Sequence, residues 1–249
     1  MRVIPVPCLR DNYAYLVVNE STGRAAVVDP SEVEPVLLAC QRENIELDEI
    51  WLTHHHWDHV GGIEGIVAAC PIEQVRGSSY DAEHGRIPNQ NVSLSDGDSF
   101  DFGTATVEVL EIPGHTLGAI AFLAEGQLFS GDTLFLAGCG RVFEGTMQMM
   151  SESLLKLRAL PAETSIWCGH EYTLNNLRFA KTVEPQNAEV SQALAQAEAR
   201  RAAGKPTIPG RIGTERETNP FLRFDREPVI AGRDPVAAFT AIRSAKDEF

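Results

Sequence analysis

The chain has 249 residues, enough for one large domain or a domain with an appendage. Its 43% hydrophobic and 22% charged residues are ordinary for a soluble globular enzyme. A formal net charge of -14 and a pI near 4.9 argue against a nucleic-acid or anionic-membrane partner, because phosphate recognition runs on Lys and Arg.

Residues 1–7 carry prolines at 5 and 7 and lack the apolar run of a signal peptide. No stretch is long enough to span a bilayer. The five cysteines (Cys8, Cys40, Cys70, Cys139, Cys168) are scattered and form no Cys-x-x-Cys pair, which fits reduced thiols and a cytoplasmic protein. Residues 13–18 and 25–28 read as strands joined by the turn 19–23. Asp29 ends the second strand, either as an outer partner of a metal ligand or as a plain turn or helix-cap residue. Residues 31–43 have helical spacing, with Val33, Val36, Leu37 and Cys40 on one face. A third strand, 48–52, runs into Thr53-His54-His55-His56-Trp57-Asp58-His59.

Beyond this loop, 60–70 reads as a helix, 74–77 as a short strand and 78–90 as a polar loop in which His84 has no role. Strands follow within 92–109, at 119–124 and at 127–130. The glycine-rich segment 138–146 is no phosphate loop, since the Gly-x-x-x-x-Gly-Lys frame is missing. A helix at 149–160 and a strand at 165–168 complete the alternation, and Cys168 reads as a core residue of that strand. From 173 on the pattern is helical only: 174–183, then 187–203 with Asn187 as N-cap, a polar loop at 211–219, and a last helix from Asp234-Pro235.

In an extended segment alternate side chains share a side, so His54 and His56 face one point and His55 faces away. Asp58 and His59, past the turn, face a second point nearby. A polar loop that merely happens to hold histidines is the plain alternative. Three downstream strands decide against it, each ending in glycine and then a metal-ligand residue: Gly114-His115, Gly131-Asp132 and Gly169-His170. Five of the seven histidines fall in this set. With Asp58 and Asp132 they make seven ligands, too many for one tetrahedral zinc and suited to two.

These residues resemble the metallo-β-lactamase fold superfamily and, within it, the glyoxalase II (hydroxyacylglutathione hydrolase) family. The closer likeness rests on Asp11-Asn12-Tyr13, Pro113 to Gly118, Gly138-Cys139-Gly140-Arg141, Phe143 to Thr146, His170 to Thr173, Asn219 to Arg223 and Arg243 to Asp247, so it runs the length of the chain. The resemblance implies an α/β fold: an αββα sandwich over residues 1–172 and a small helical substrate-binding domain over 173–249. It implies two divalent metals, zinc first and iron or manganese as alternatives. His54, His56 and His115 hold one, Asp58, His59 and His170 the other, and Asp132 bridges them, with Asp58 catalytic beside a bridging hydroxide. It places glutathione against Arg141, Tyr172, Arg243 and Lys246, with Phe143 standing where some relatives carry a tyrosine whose hydroxyl contacts substrate. Trp57 occupies a variable position of the motif.

The implied reaction is hydrolysis of S-(2-hydroxyacyl)glutathione, such as S-D-lactoylglutathione, to glutathione and D-lactate, the second step of methylglyoxal detoxification. The partner is then a small molecule and the protein a monomer. Two metals take a water pKa from about 15.7 to about 7, and a thiolate leaving group with pKa near 8.5 needs no strong general acid. No Gly-x-Ser-x-Gly elbow competes for the chemistry. Three rival readings separate by experiment. A lactonase or β-lactamase of the same fold keeps its activity without 235–249. A mono-iron persulfide dioxygenase consumes oxygen, although Asp58, His59 and His170 together argue against it. A dead metal-storing protein binds metal without turnover.

Overall fold

The computed structural model describes residues 1–249 and divides into two compact units, 1–111 with 118–131 and 112–117 with 132–249. No helix is long and apolar enough to cross a membrane.

The first unit opens with β1 (Arg2–Cys8), β2 (Asn12–Val18), β3 (Ala25–Val28), α1 (Val33–Glu43), β4 (Glu49–Trp51), α2 (Trp57–Val60), α3 (Ile63–Ala69), β5 (Gln74–Ser78), α4 (Ser79–Glu83) and β6 (Val92–Leu94). The six strands form one sheet in sequence order. β1, β2 and β3 pair antiparallel, whereas β3 to β6 run parallel with helices in the crossovers. β2 and β3 are buried at every position, as apolar runs covered on both faces are. Val36, Ala39 and Cys40 of α1 and Ile63 and Ile66 of α3 share a core with Val27 and Ile50 on one face of this sheet.

β7 (Ser99–Phe102), β8 (Ala105–Glu111), β9 (Ile120–Ala124) and β10 (Gln127–Gly131) follow, hydrogen-bonded in that order and all antiparallel. β8 alternates buried and exposed residues from Ala105 to Val109, the mark of a strand with one wet face. The two sets of strands meet through aromatic rings. Trp51 stands edge-on to Phe100 and Phe102 at centroid distances of 5.3 and 4.9 Å, and Tyr15 meets Phe129 at 5.7 Å. Helix, sheet and sheet are therefore layered within this unit.

The second unit holds β11 (Leu134–Phe135), β12 (Gly138–Cys139), α5 (Met147–Arg158), β13 (Ser165–Cys168), α6 (Thr173–Val183), α7 (Ala188–Ala202), β14 (Gly210–Arg211), α8 (Ile212–Thr218), a 3-10 turn at Pro220–Leu222 and α9 (Pro235–Glu248). α6 and α7 close on Leu177, Ala180, Val190 and Ala197. Asn187 caps α7 by accepting from the N–H groups of Glu189 and Val190, and Asp234 caps α9 through Val236 and Ala237.

Several elements depart from the sequence expectation, the strands β11 and β12 in the stretch 134–139 among them. β1 forms despite Pro5 and Pro7, because an edge strand has a side on which no N–H is needed. The polar loop at 78–90 contains α4, started by the Ser78 hydroxyl accepting from Asp81 N–H. Helix α8 occupies the polar stretch 211–219, since its buried stripe is Ile212, Glu215 and Thr218, and two polar members hide the period. The region after 173 is not wholly helical, as β14 pairs with β13.

Candidate metal centre

β3 and β4 are parallel neighbours, so Asp29 and Thr53 emerge together at their C-terminal edge, where α/β sheets place their sites. Asp29 sits there at φ 48° with its side chain buried. Its Oδ1 accepts from Thr53 N–H at 2.8 Å, and its Oδ2 accepts from Thr53 Oγ1 at 2.6 Å and from His59 Nδ1 at 3.0 Å. Thr53 Oγ1, its proton committed to Asp29, accepts in turn from His54 Nδ1 at 3.0 Å. One buried carboxylate thus fixes the tautomers of two histidines and makes Nε2 the nitrogen that carries the lone pair. Asp29 lies within 4.8 Å of nitrogens of both rings, and its oxygens are engaged in these bonds, so it is placed to orient the two histidines.

The His54 ring lies 4.8 Å from His56 and 4.1 Å from His59, centroid to centroid. His55 points elsewhere, with Nδ1 3.2 Å from Oδ1 of the fully buried Asp81, as the alternation of an extended segment requires. Asp58 opens α2, and Asn12 Nδ2 donates to its carboxylate at 3.1 Å and to its carbonyl at 2.9 Å. Ser31 Oγ donates to the same carbonyl. The Asp58 carboxylate stands 4.0 Å from His59 Nε2. Trp57, beside it, is 71% exposed.

The second unit gathers His115, Asp132 and His170. His115 Nδ1 donates to Arg141 O at 2.8 Å, leaving Nε2 as the donor nitrogen, and that Nε2 lies 3.5 Å from Asp132 Oδ2. His170 Nε2 is 3.2 Å from the same oxygen. Two ligands bonded tetrahedrally to one zinc at about 2.0–2.1 Å sit about 3.3–3.4 Å apart, so these separations suit a cation held between imidazole and carboxylate. Neutral imidazole nitrogens with carboxylate oxygens also suit iron and manganese. Gly140 closes this cluster from behind: a Cβ there falls 2.0 Å from Asp132 O and 2.9 Å from His115 Nδ1, so no other residue fits.

Tyr172 stacks on His170 with centroids 4.7 Å apart and 5° between planes, and Phe143 meets the His115 ring at 5.2 Å while staying mostly exposed. Arg141 lies at the surface with Nε 3.2 Å from Asp247 Oδ1. The same oxygen accepts from Arg243 Nη2 at 3.1 Å. Arg243 is only 4% exposed, and its Nη1 donates to Cys139 O at 2.7 Å. The structure therefore gives it a strut-like placement, whereas Arg141 is open to solvent. Lys246 reaches Asn175 Oδ1 and lies near the Phe179 and Phe249 rings. Burial, joined by the like charge of Arg243, pushes its amine down to about 8.

Each sequence-expected residue in the first unit lies with its fellows, and so does each in the second. Sequence reading missed Ser31, Asn12 as the holder of Asp58, and Asp81 as the partner of His55. Asn12 was visible only within Asp11-Asn12-Tyr13, and Asp81 shares a polar stretch with Glu83 and carries no sign of its burial.

Comparison with known proteins places these features in a family. Residues 9–170 match the model of the metallo-beta-lactamase superfamily, and 171–249 match that of the hydroxyacylglutathione hydrolase C-terminus. A hydroxyacylglutathione hydrolase of Synechococcus sp. (strain JA-2-3B'a(2-13)) is 50% identical over 254 residues, covering 100% of both chains. One from Gloeobacter violaceus is 48% identical over 254 residues, again with 100% of each covered. Among solved structures, ETHE1 from Myxococcus xanthus superposes with a TM-score of 0.71 at 25% identity, covering 98% of this chain and 90% of that one. TTHA1623 in a di-iron-bound form gives 0.60 at 26% identity, covering 89% and 100%. With both parts of its length matched and relatives of half its sequence aligned end to end, the chain belongs to the hydroxyacylglutathione hydrolases of the metallo-beta-lactamase superfamily.

Proposed function

We propose that the chain hydrolyses S-(2-hydroxyacyl)glutathione, with S-D-lactoylglutathione as substrate, to glutathione and the free 2-hydroxy acid, using two divalent cations, zinc first. The match of residues 171–249 to the hydroxyacylglutathione hydrolase C-terminus carries this reading, because that region holds Tyr172, Arg243 and Lys246. In it His54, His56 and His115 would hold one cation and Asp58, His59 and His170 the other, with Asp132 available to either. When bound, such a pair supplies a water ionised near neutral pH and polarises the thioester carbonyl.

The chain's own part is preorganisation and recognition. Asp29 and Thr53 hold His54 and His59, Arg141 O holds His115, and Asn12 holds the Asp58 carboxylate. Glutathione is anionic and the protein carries a net charge of -14, so binding relies on local cations, Arg141 and Lys246 foremost. The departing thiolate is a weak base and asks for no proton donor. The protein works as a cytoplasmic monomer in this reading; none of its five cysteines is disulfide-bonded, which suits a reducing compartment.

The test is turnover of S-D-lactoylglutathione alongside metal analysis of the same preparation. We expect two ions per chain and steady release of glutathione, and His59→Ala loses one ion and most of the turnover. A fully metallated wild type that leaves the thioester intact overturns the reading.

A further inference from the structure

Hairpin β11–β12 pairs Leu134 with Cys139 and Phe135 with Gly138, and its turn places Ala137 at φ 54°. A β-carbon-bearing residue is strained in that region, so something must hold it there. Side chains from the C-terminal helical region hold backbone groups at five consecutive positions. Asn219 Nδ2 donates to Phe135 O at 3.2 Å and to Gly138 O at 3.0 Å. Asn176 Nδ2 donates to Leu136 O at 3.1 Å. Glu215 Oε2 accepts from Ala137 N–H at 2.6 Å and from Asn219 Nδ2 at 3.0 Å. Arg243 reaches Cys139 O. All four side chains are buried, and Asn219 is fully enclosed.

The hairpin starts two residues after Asp132 and ends one residue before Gly140, the residue pressed onto Asp132 O and the His115 ring. Gly140 N–H points back to Thr133 O at 3.4 Å, and Arg141 O is the acceptor that sets the His115 tautomer. Any shift of the hairpin therefore moves the backing of Asp132, the bond that aims His115 and the root of the Arg141 side chain together.

We propose that Asn219 and Glu215 are positioning residues of the metal centre, acting through hairpin β11–β12 on Asp132, His115 and Arg141. This rests on the functional reading above and adds to it: the C-terminal region serves the metal ligands as well as the substrate. Both residues are buried, and neither belongs to the groups of side chains that could hold a metal ion. Asn219 donates to two carbonyls and to Glu215, whose carboxylate would otherwise sit buried beside Ala137 with one bond fewer, so the pair acts as one clamp.

The test uses the metallated full-length protein. Asn219→Asp is isosteric and still accepts from Phe221 N–H, but it donates nothing and sets a carboxylate against two carbonyls and Glu215. We expect its metal affinity, read by chelator competition, to fall about 10–100-fold, as for loss of outer partners of metal ligands. kcat for S-D-lactoylglutathione should fall about 10-fold with KM changed less than about threefold, the pattern of a disturbed reacting centre. Asn19→Ala, which removes a buried side chain that holds the turn 19–23 and Phe102 O in the first unit, is the control for plain destabilisation: its melting temperature drops while metal affinity and kcat stay at wild-type values. If Asn219→Asp does not fold, Glu215→Met, which removes the acceptor of both bonds, and the milder Asn176→Ala decide by the same measurements. Wild-type metal affinity and kcat in these variants, or a loss confined to melting temperature, overturns the proposal while leaving the hydrolase reading intact. A wild type that binds no metal or leaves the thioester uncleaved fails the hydrolase reading, and this proposal falls with it.

Discussion

Lys246 has two environments to satisfy, the aromatic rings that bury its stem and any anion it is to meet. With its amine pushed down to about 8, it is charged below that pH and neutral above it. Attraction for a glutathione carboxylate is then present at neutral pH and lost as the pH climbs through about 8. We expect kcat/KM, which reports the free enzyme, to fall on the alkaline side with a midpoint about 8. Lys246→Arg should move that fall above pH 10, because a guanidinium keeps its proton. An alkaline limb unchanged by the substitution removes Lys246 from substrate recognition. At this scale the candidate ligands stood out because His, Asp and glycine recur where strands stop. Glu215 and Asp81 were not, since each sits two residues from another acid, Glu217 and Glu83, and the chain does not mark which of the two is enclosed. Arg243 shows the converse: the chain marks it as a cation, and only packing reveals that Cys139 O and Asp247 engage it.

Elements whose faces are apolar were legible in the chain, and those whose buried face is polar were not. α1, α6, α7 and α9 each carry an apolar stripe with a terminal signal; α8 buries Glu215 and Thr218 and lacked both. α9 depends on its start. Asp234 accepts from two N–H groups, and Pro235 occupies the first turn, where no N–H is needed. Asp234→Ala should cost about 1 kcal/mol, seen as a melting temperature lower by about 2–4 °C, whereas Asp234→Asn stays near wild type. Equal losses in the two variants contradict the cap. Because α9 bears Arg243 and Lys246, fraying at its first turn should also raise KM modestly before it lowers kcat.

For the whole molecule, a net charge of -14 sets up a field in which the few cations near the site matter more. Charge does not protect sheet edges, which pair through backbone at short range. β1 is such an edge, and its two prolines were read in the chain only as interruptions. Pro5 and Pro7 lie two residues apart, so their nitrogens face the same way, and β2 already occupies the other side. A stray strand arriving at that border finds rungs missing from the ladder it would climb, and growth of a fibre stops there. Giving the rungs back with Pro5→Thr and Pro7→Thr should leave the fold standing yet let light scattering climb with protein concentration. A double variant that stays monodisperse would mean that something other than these two imino acids keeps the border sterile.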